Sequence, residues 1–166
     1  GPRTYLGVAT AGFPNLFTIT GPGSPSVLAS MIQAIEQHVD WMADCIAHMR
    51  DIGAATIEPV QPYEDEWVEH VNDVSKISLR STCSSWYVGT NIPGRPRVFM
   101  PYIGGFPIYV QKCNEVMSNG FEGFVMEGAA IGNAAPRVRL TERWRVPLDI
   151  EVISPAAVAA RRVPVV

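Results

Sequence analysis

The chain has 166 residues, 47% of them hydrophobic and 17% charged, which suits one globular domain with a real core. Its net charge of −3 gives no electrostatic reason to expect nucleic acid or an anionic membrane as a partner. No apolar run is long enough to span a bilayer, and the first residues do not read as a signal peptide.

In chain order, Thr4–Val8 reads as a short strand, and "AGFPN" (11–15) carries turn chemistry. Leu16–Thr20 is β-branched and aromatic enough to read as a buried strand. The loop "GPGS" (21–24) follows it. A long helix is expected next, with Ser24 as N-cap and Pro25 in the first helical position. Its apolar set is Leu28, Met31, Ile32, Ile35, Val39, Met42, Ile46 and Met49, at three-to-four spacing. Glu36, Asp40 and Asp44 fall on another face, and Gly53 is placed to end the helix in the left-handed conformation. Such a helix is roughly 38 Å long at 1.5 Å per residue. His38 and His48 are expected on its solvent side or rim, and His70 on the surface of a second helix.

"EPVQP" (58–62) breaks the chain. The second helix is expected from Pro62 to about Ile77, with Glu64, Asp65 and Glu66 favouring the positive end of its dipole. Trp67, Val71 and Val74 give it an apolar stripe. Residues 80–96 read as loop, Arg97–Ile103 as a strand closing on Gly104-Gly105, and 107–119 as a third helix ended at Asn119-Gly120. Phe121–Met126 is a strand candidate. Composition then shifts: residues 1–126 hold seven basic and twelve acidic residues, and residues 127–166 hold six arginines and four acids. In that tail, "TERWRVPLDIEV" (141–152) alternates like a strand interrupted at Pro147.

Little in the chain points to chemistry by spacing alone. The three histidines are too far apart for a local metal pair, and no Cys-x-x-Cys or His-Glu-x-x-His occurs, so no metal is expected. "GPGSPS" is not a nucleophile elbow, because the last glycine of Gly-x-Ser-x-Gly is missing. Cys45, Cys83 and Cys113 are odd in number and widely spaced, which fits a reducing, cytoplasmic compartment. Each reads as a small buried hydrophobe rather than a nucleophile. The 21–24 loop has two readings: a helix-capping turn, or amides turned toward an anion or the acceptor edge of a flavin. The 80–96 loop also has two. Trp86 either pins a surface loop to the body or meets a ligand from a mobile lid, with Arg95 and Arg97 close enough to serve a phosphate.

Five blocks carry more than these patterns. "AGFPNLFTITGPGSPSVL" (11–28), "IEQHVDW" (35–41), "EDEWVEHVNDV" (64–74), "SSWYVGTNIPGRPRVFMPYIGG" (84–105) and "NGFEGFVM" (119–126) together resemble the C-terminal part of a type I Baeyer–Villiger monooxygenase. The likeness is strongest to the phenylacetone, cyclohexanone and steroid monooxygenase group and covers residues 4–126. It implies an α/β fold, the C-terminal half of a Rossmann-like FAD-binding domain, with a long helix after a strand–loop and long loops besides. It implies FAD and NADPH as cofactors, a ketone and O2 as small-molecule substrates, and oxygen insertion through a C4a-peroxyflavin to give an ester or lactone.

Residue by residue, the resemblance places Met31 against FAD. It makes Pro25, Ser26, Val27, Leu28 and Ala29 the bulge lining the substrate pocket. Trp86 becomes the tryptophan of a control loop that meets NADP(H), with Asn91 and Gly94 as loop neighbours. No catalytic residue is assigned: the family's arginine belongs upstream, and this chain holds neither glycine fingerprint nor the "FxGxxxHxxxWP" signature. The chain opens on "GPRTYLG" without a methionine and reads as a piece of a longer protein, with 127–166 matching nothing in the family. A non-catalytic binding module, or a sibling flavin enzyme acting on nitrogen or sulfur, is the alternative reading.

Overall fold

The structure, a computed structural model, describes residues 1–26, 29–79, 82–94 and 96–128. The expected strand at 141–152 and the whole 129–166 tail lie outside the described residues, as do Val27, Leu28 and Arg95. The order of elements is helix α1 (Met31–Asp51), strand β1 (Thr56–Pro59), helix α2 (Gln61–Ser75), a one-turn 3-10 segment (Trp86–Val88), helix α3 (Phe106–Ser118) and strand β2 (Phe124–Glu127). Mixed helix and strand is therefore the class, and β1 and β2 pair antiparallel, Ile57 opposite Met126 and Pro59 opposite Phe124.

The helices fall where caps and periodicity place them at most of their ends. Gly53 takes φ +70° just beyond α1 and donates to Arg50 O, the left-handed stop that only glycine adopts freely. Pro62 sits in the first turn of α2, where its missing N–H leaves nothing unsatisfied. Gly105 caps α3 at φ 100°, and Asn119-Gly120 ends it.

Four expectations need correction. Thr4–Val8 is not a strand: Leu6 and Gly7 both take positive φ, and Tyr5 bridges back to Ala9 around a tight turn. Leu16–Thr20 is not a buried strand either. Asn15 and Thr20 take φ near +60° and +53° at its two ends, one bridge joins Ala9 to Phe17, and Leu16 and Ile19 are exposed. The segment hangs instead on the turn before it, through Thr18 N–H to Val8 O and Gly21 N–H to Gly7 O. Arg97–Ile103 is extended without ladder pairing, apart from one parallel bridge between Pro25 and Tyr102. The β1 strand, by contrast, runs two residues into the 58–62 stretch read as a chain break. Asn15 closes its second edge: its amide oxygen accepts from Ile57 N–H at 3.0 Å, and its amide nitrogen donates to Ala55 O at 3.2 Å.

Helix α1 begins at Met31, not at Pro25. Ser24 does not cap it; its hydroxyl donates to Gly21 O at 2.7 Å, and Pro25 is held extended by its bridge to Tyr102. The face α1 buries also differs from the expected stripe. Met42 and Met49 of that stripe are buried, together with Ala34, Gln37, His38, Trp41, Asp44 and Cys45. This face meets α3, where the Trp41 indole N–H donates to Cys113 O at 3.1 Å. Met31, Ile32, Ile35, Val39 and Ile46 stay exposed, Ile32 to 70%. A helix apolar on two faces is the kind that sits inside a larger body. Replacing Ile32 and Val39 by lysine is expected to change stability by no more than about 0.5 kcal/mol, as at other surface positions, while lowering the fluorescence of a dye that binds exposed apolar surface. A loss of stability beyond about 2 kcal/mol would show that this chain covers the face itself.

His38 is the sharpest misplacement. Expected on the helix rim, it is wholly buried. Its Nδ1 accepts from Thr20 N–H at 2.9 Å, so the ring proton sits on Nε2 and is donated to the Tyr109 hydroxyl at 2.7 Å. Tyr109 in turn donates to Leu6 O at 2.6 Å. One hydrogen-bonded line thus ties the 4–9 turn, the 16–20 segment, α1 and α3. His70 is exposed on α2, as expected.

Candidate functional site

Glycine and proline fix the path of the 21–26 loop, and its partners define what it can do. Gly21 N–H donates to Gly7 O at 3.1 Å, Gly23 N–H to Met100 O at 2.6 Å, and Ser24 N–H to Gly21 O at 3.1 Å. Pro22 and Pro25 have no amide to offer. All three amides of residues 21–24 therefore serve the protein's own backbone, so that stretch is a clamp rather than an anion cradle. Neither reading holds as it stood: the loop caps no helix, since α1 starts seven residues after Ser24 with Ser30 as its N-cap, and the 21–24 amides are turned to no anion.

The other side of the clamp was missed from the sequence. Trp67 of α2 donates its indole N–H to Gly23 O at 3.2 Å, and Tyr102 N–H donates to Ser24 O at 2.9 Å. Trp67 and Tyr102 stack with centroids 5.4 Å apart and ring planes 23° apart. No local spacing joins residues 23, 67 and 102. The only sequence signal was that each of these aromatics carries a polar handle, which seeks a partner when buried.

Helix α1 opens differently. Ser30 makes no side-chain capping bond, no acid occupies the first turn, and Met31 stands at the start, 43% exposed. The first amides of any helix lack intrahelical acceptors and carry partial positive charge. Pro25 is buried, Ser26 and Ala29 are half-buried, and Val27 and Leu28 lie outside the described residues. The structure thus brings Pro25, Ser26, Ala29 and Met31 into one short connection between the clamp and α1.

The Trp86 turn stands further along. Ser85 caps it by accepting from Tyr87 N–H at 3.2 Å, and Gly89 closes it at φ +71°. Trp86 is 59% exposed and lies against Tyr87, their centroids 3.9 Å apart. Asn91 is exposed in the next turn. Trp86 therefore does not pin the loop to the body; Val88, buried at the end of the turn, does. Arg97 donates to Cys83 O at 2.9 Å, which holds the loop's two ends together.

The clamp and the Trp86 turn are joined by a single residue. Met100 N–H donates to Tyr87 O at 2.9 Å, and Met100 O accepts from Gly23 N–H. Phe99 N–H is held by the Asn72 side chain at 3.1 Å. The segment around Met100 is thus a strap between the two elements singled out in the sequence.

Of the thiols, Cys45 and Cys113 are buried, and burial pushes both up to about 12, so they are unreactive packing groups at neutral pH. Cys83 is exposed, contrary to the expectation for it. No helix among the described residues is long and apolar enough to cross a membrane.

The mixed helix and strand body matches flavin monooxygenases of known structure. The chain aligns with the structure titled oxidized steroid monooxygenase bound to NADP at 48% identity and a TM-score of 0.69, over 76% of this chain and 23% of that one. No family model matches it. Among curated proteins, it is 36% identical over 125 residues to an acetone monooxygenase (methyl acetate-forming) of Gordonia sp., covering 75% of this chain and 24% of that protein. It is 34% identical over 125 residues to the phenazine N-monooxygenase PhzNO1 of Lysobacter antibioticus, covering 75% of this chain and 23% of that protein. The chain spans about a quarter of the length of these relatives. It is homologous to that portion of the Baeyer–Villiger monooxygenases.

Proposed function

We propose that the chain is the C-terminal part of a flavin-dependent Baeyer–Villiger monooxygenase, which inserts one oxygen atom of O2 into a ketone at the expense of NADPH. The observation that carries this is the homology over three quarters of the chain to an enzyme named for forming methyl acetate from acetone. Residues 1–126 are then the C-terminal half of a Rossmann-like FAD domain, and 127–166 an extension of it. A helix α1 that is apolar on two faces supports the reading, because a helix inside a larger body needs both.

The residues present fit FAD at one place. The start of α1, with no side-chain cap and no acid in its first turn, suits an electron-rich edge such as that of a flavin, whose negative charge on reduction such a terminus stabilises by about 0.3–2 kcal/mol. The amides of Gly21, Gly23 and Ser24 do not fit a phosphate, since all three are already bonded. Bound FAD supplies the oxygen-activating chemistry, and this chain's residues position it. Met31 would lie against the flavin. Pro25, Ser26, Val27, Leu28 and Ala29 would line the ketone pocket and keep water from it. Trp86 and Asn91 would meet NADP(H) from the exposed turn. The clamp holds the connection between these groups to a fixed length.

The test is a chimera in which residues 1–128 replace the homologous stretch of a cyclopentanone or cyclohexanone monooxygenase. The expected result is a yellow protein with ketone-dependent NADPH oxidation. Trp86→Ala in that chimera is expected to raise the KM for NADPH about ten-fold while leaving the flavin bound. A chimera that retains FAD and never oxygenates a ketone would overturn the proposal. The PhzNO1 homology supports a second reading, oxygen transfer to a heteroaromatic nitrogen. Turnover of a phenazine, with no ester from any ketone, would decide for it.

A further inference from the structure

Four consecutive carbonyls of the clamp are occupied. Gly21 O accepts from Ser24, by its N–H at 3.1 Å and its hydroxyl at 2.7 Å. Pro22 O accepts from the Thr4 hydroxyl, and Ser24 O from Tyr102 N–H at 2.9 Å. Gly23 O is held from a helix, by the Trp67 indole N–H of α2 at 3.2 Å. Both partners are buried.

Trp67 is itself fixed. It stacks on Tyr102 and packs on Tyr109, their centroids 6.1 Å apart. Tyr102 in turn bridges Pro25. The fit at Gly23 is close: a methyl group there would stand 3.0 Å from Trp67 Nε1 and 3.4 Å from its Cδ1. Beyond Pro25 the chain is held less closely. Ala29 N–H reaches Ser26 O at 3.4 Å, longer than an ordinary N–H to oxygen bond. Ser26 and Ala29 therefore take their places from the two ends of the connection, Pro25 at one and the start of α1 at the other.

We infer that Trp67 is a positioning residue for the ketone, acting through Gly23 and Pro25 on the pocket lining without touching substrate. The inference rests on the reading of Pro25, Ser26 and Ala29 as that lining. An indole on a rigid helix sets the point at which the lining leaves the clamp. Without its N–H, a buried carbonyl loses its donor and the turn shifts to recover one. Reaction depends steeply on placement, so a shift well below 1 Å changes which side of the carbonyl is presented for oxygen insertion. Ser85 and Arg97, not Trp67, hold the Trp86 turn, so the effect is confined to the ketone.

The test uses a full-length chimera carrying residues 1–128 in a cyclohexanone monooxygenase, with (R)-3-methylcyclohexanone as probe. Both carbons beside its carbonyl are CH2 groups, so the chemistry itself favours neither of the two lactones. Their ratio reports how the pocket holds the ring, and it does not depend on how much of the enzyme is folded. Trp67→Phe keeps a ring on Tyr102 and removes the N–H. It is expected to change the lactone ratio at least three-fold and to raise the KM for the ketone about five-fold. The kcat and the KM for NADPH are expected to stay within about two-fold. Gly23→Ala pushes the indole from the same carbonyl, and is expected to move the ratio in the same direction. It keeps the test open should Trp67→Phe fail to fold. Val116→Ala opens the buried face of α3 away from the clamp, and is expected to lower Tm with the ratio unchanged. An unchanged ratio in folded, FAD-containing Trp67→Phe or Gly23→Ala would overturn the inference and leave the enzyme reading standing. So would an equal change in Val116→Ala, or a KM for NADPH that rises with that for the ketone. A parent chimera that holds FAD and makes neither lactone would overturn both.

Discussion

Gly7→Ala is expected to destabilise the chain by about 2–5 kcal/mol, combining a left-handed backbone penalty of about 1–2 kcal/mol with overpacking of about 1–3 kcal/mol. Gly7 takes φ +76°, and a methyl group there would sit 2.5 Å from Ser24 Cβ, 2.8 Å from Ser24 N and 2.9 Å from Ser24 Cα. Two of those three atoms are backbone and cannot rotate away. Gly7 O also receives Gly21 N–H and the Thr18 hydroxyl, so pushing the two segments apart breaks both bonds. The control is Gly12→Ala. Gly12 takes φ +83° with nothing within 4 Å of the added methyl, so it reports the backbone penalty alone. Adding Ser24→Gly to Gly7→Ala should restore only part of the loss, because the backbone contacts remain. Urea midpoints of the four proteins measure all of this. If Gly7→Ala cost no more than Gly12→Ala, the close approach of residues 7 and 24 would be wrong.

The second large effect is acid sensitivity through His38. Burial lowers its pKa from 6.5 to about 4. The folded chain then excludes a proton that the unfolded chain accepts below pH 6.5. Stability from this group is fully present above about pH 6.5 and is lost as pH falls toward 4, below which both states are protonated. A shift of that size corresponds to about 3 kcal/mol at 1.36 kcal/mol per unit. The geometry explains the resistance: a proton on Nδ1 would face Thr20 N–H, donor against donor. His38→Asn keeps an acceptor for Thr20 and cannot titrate. It is expected to be less stable at pH 7 and to lose the slope of one proton between pH 6.5 and 4. The pKa of His70 is lowered too, first by partial desolvation and then by Lys112, so His70→Gln serves as the control for its share. An unchanged slope in His38→Asn would remove His38 from the account.

What the sequence made legible depended on how local the cause was. Pro62 in the first turn of α2, Gly53 after α1 and Asn119-Gly120 after α3 act within a few residues, and those ends are where the residues put them. Leu16–Thr20 has the composition of a strand, but its conformation is set by Gly7, Val8 and His38, which no window around it contains. The inward face of α1 was misjudged for a related reason. Counting apolar residues favoured Ile32, Ile35 and Val39, and the chain instead buries Gln37 and His38, the latter with both ring nitrogens bonded, to the 16–20 segment and to α3. In the candidate site, the segment 25–31 and Trp86 were legible by resemblance, whereas Trp67 and Met100, which join them, act across distances in sequence that no motif records.

The strap at Met100 has a consequence for which changes of chain length the protein tolerates. One residue, Met100, faces two ways, its N–H toward Tyr87 and its carbonyl toward Gly23. A residue inserted or deleted between Phe99 and Tyr102 would move one of those groups off its partner whatever its side chain. An insertion at the exposed tip around Asn91–Pro93 would disturb neither. Residues 99–102 therefore work as a ruler, and their number is under tighter constraint than their identity.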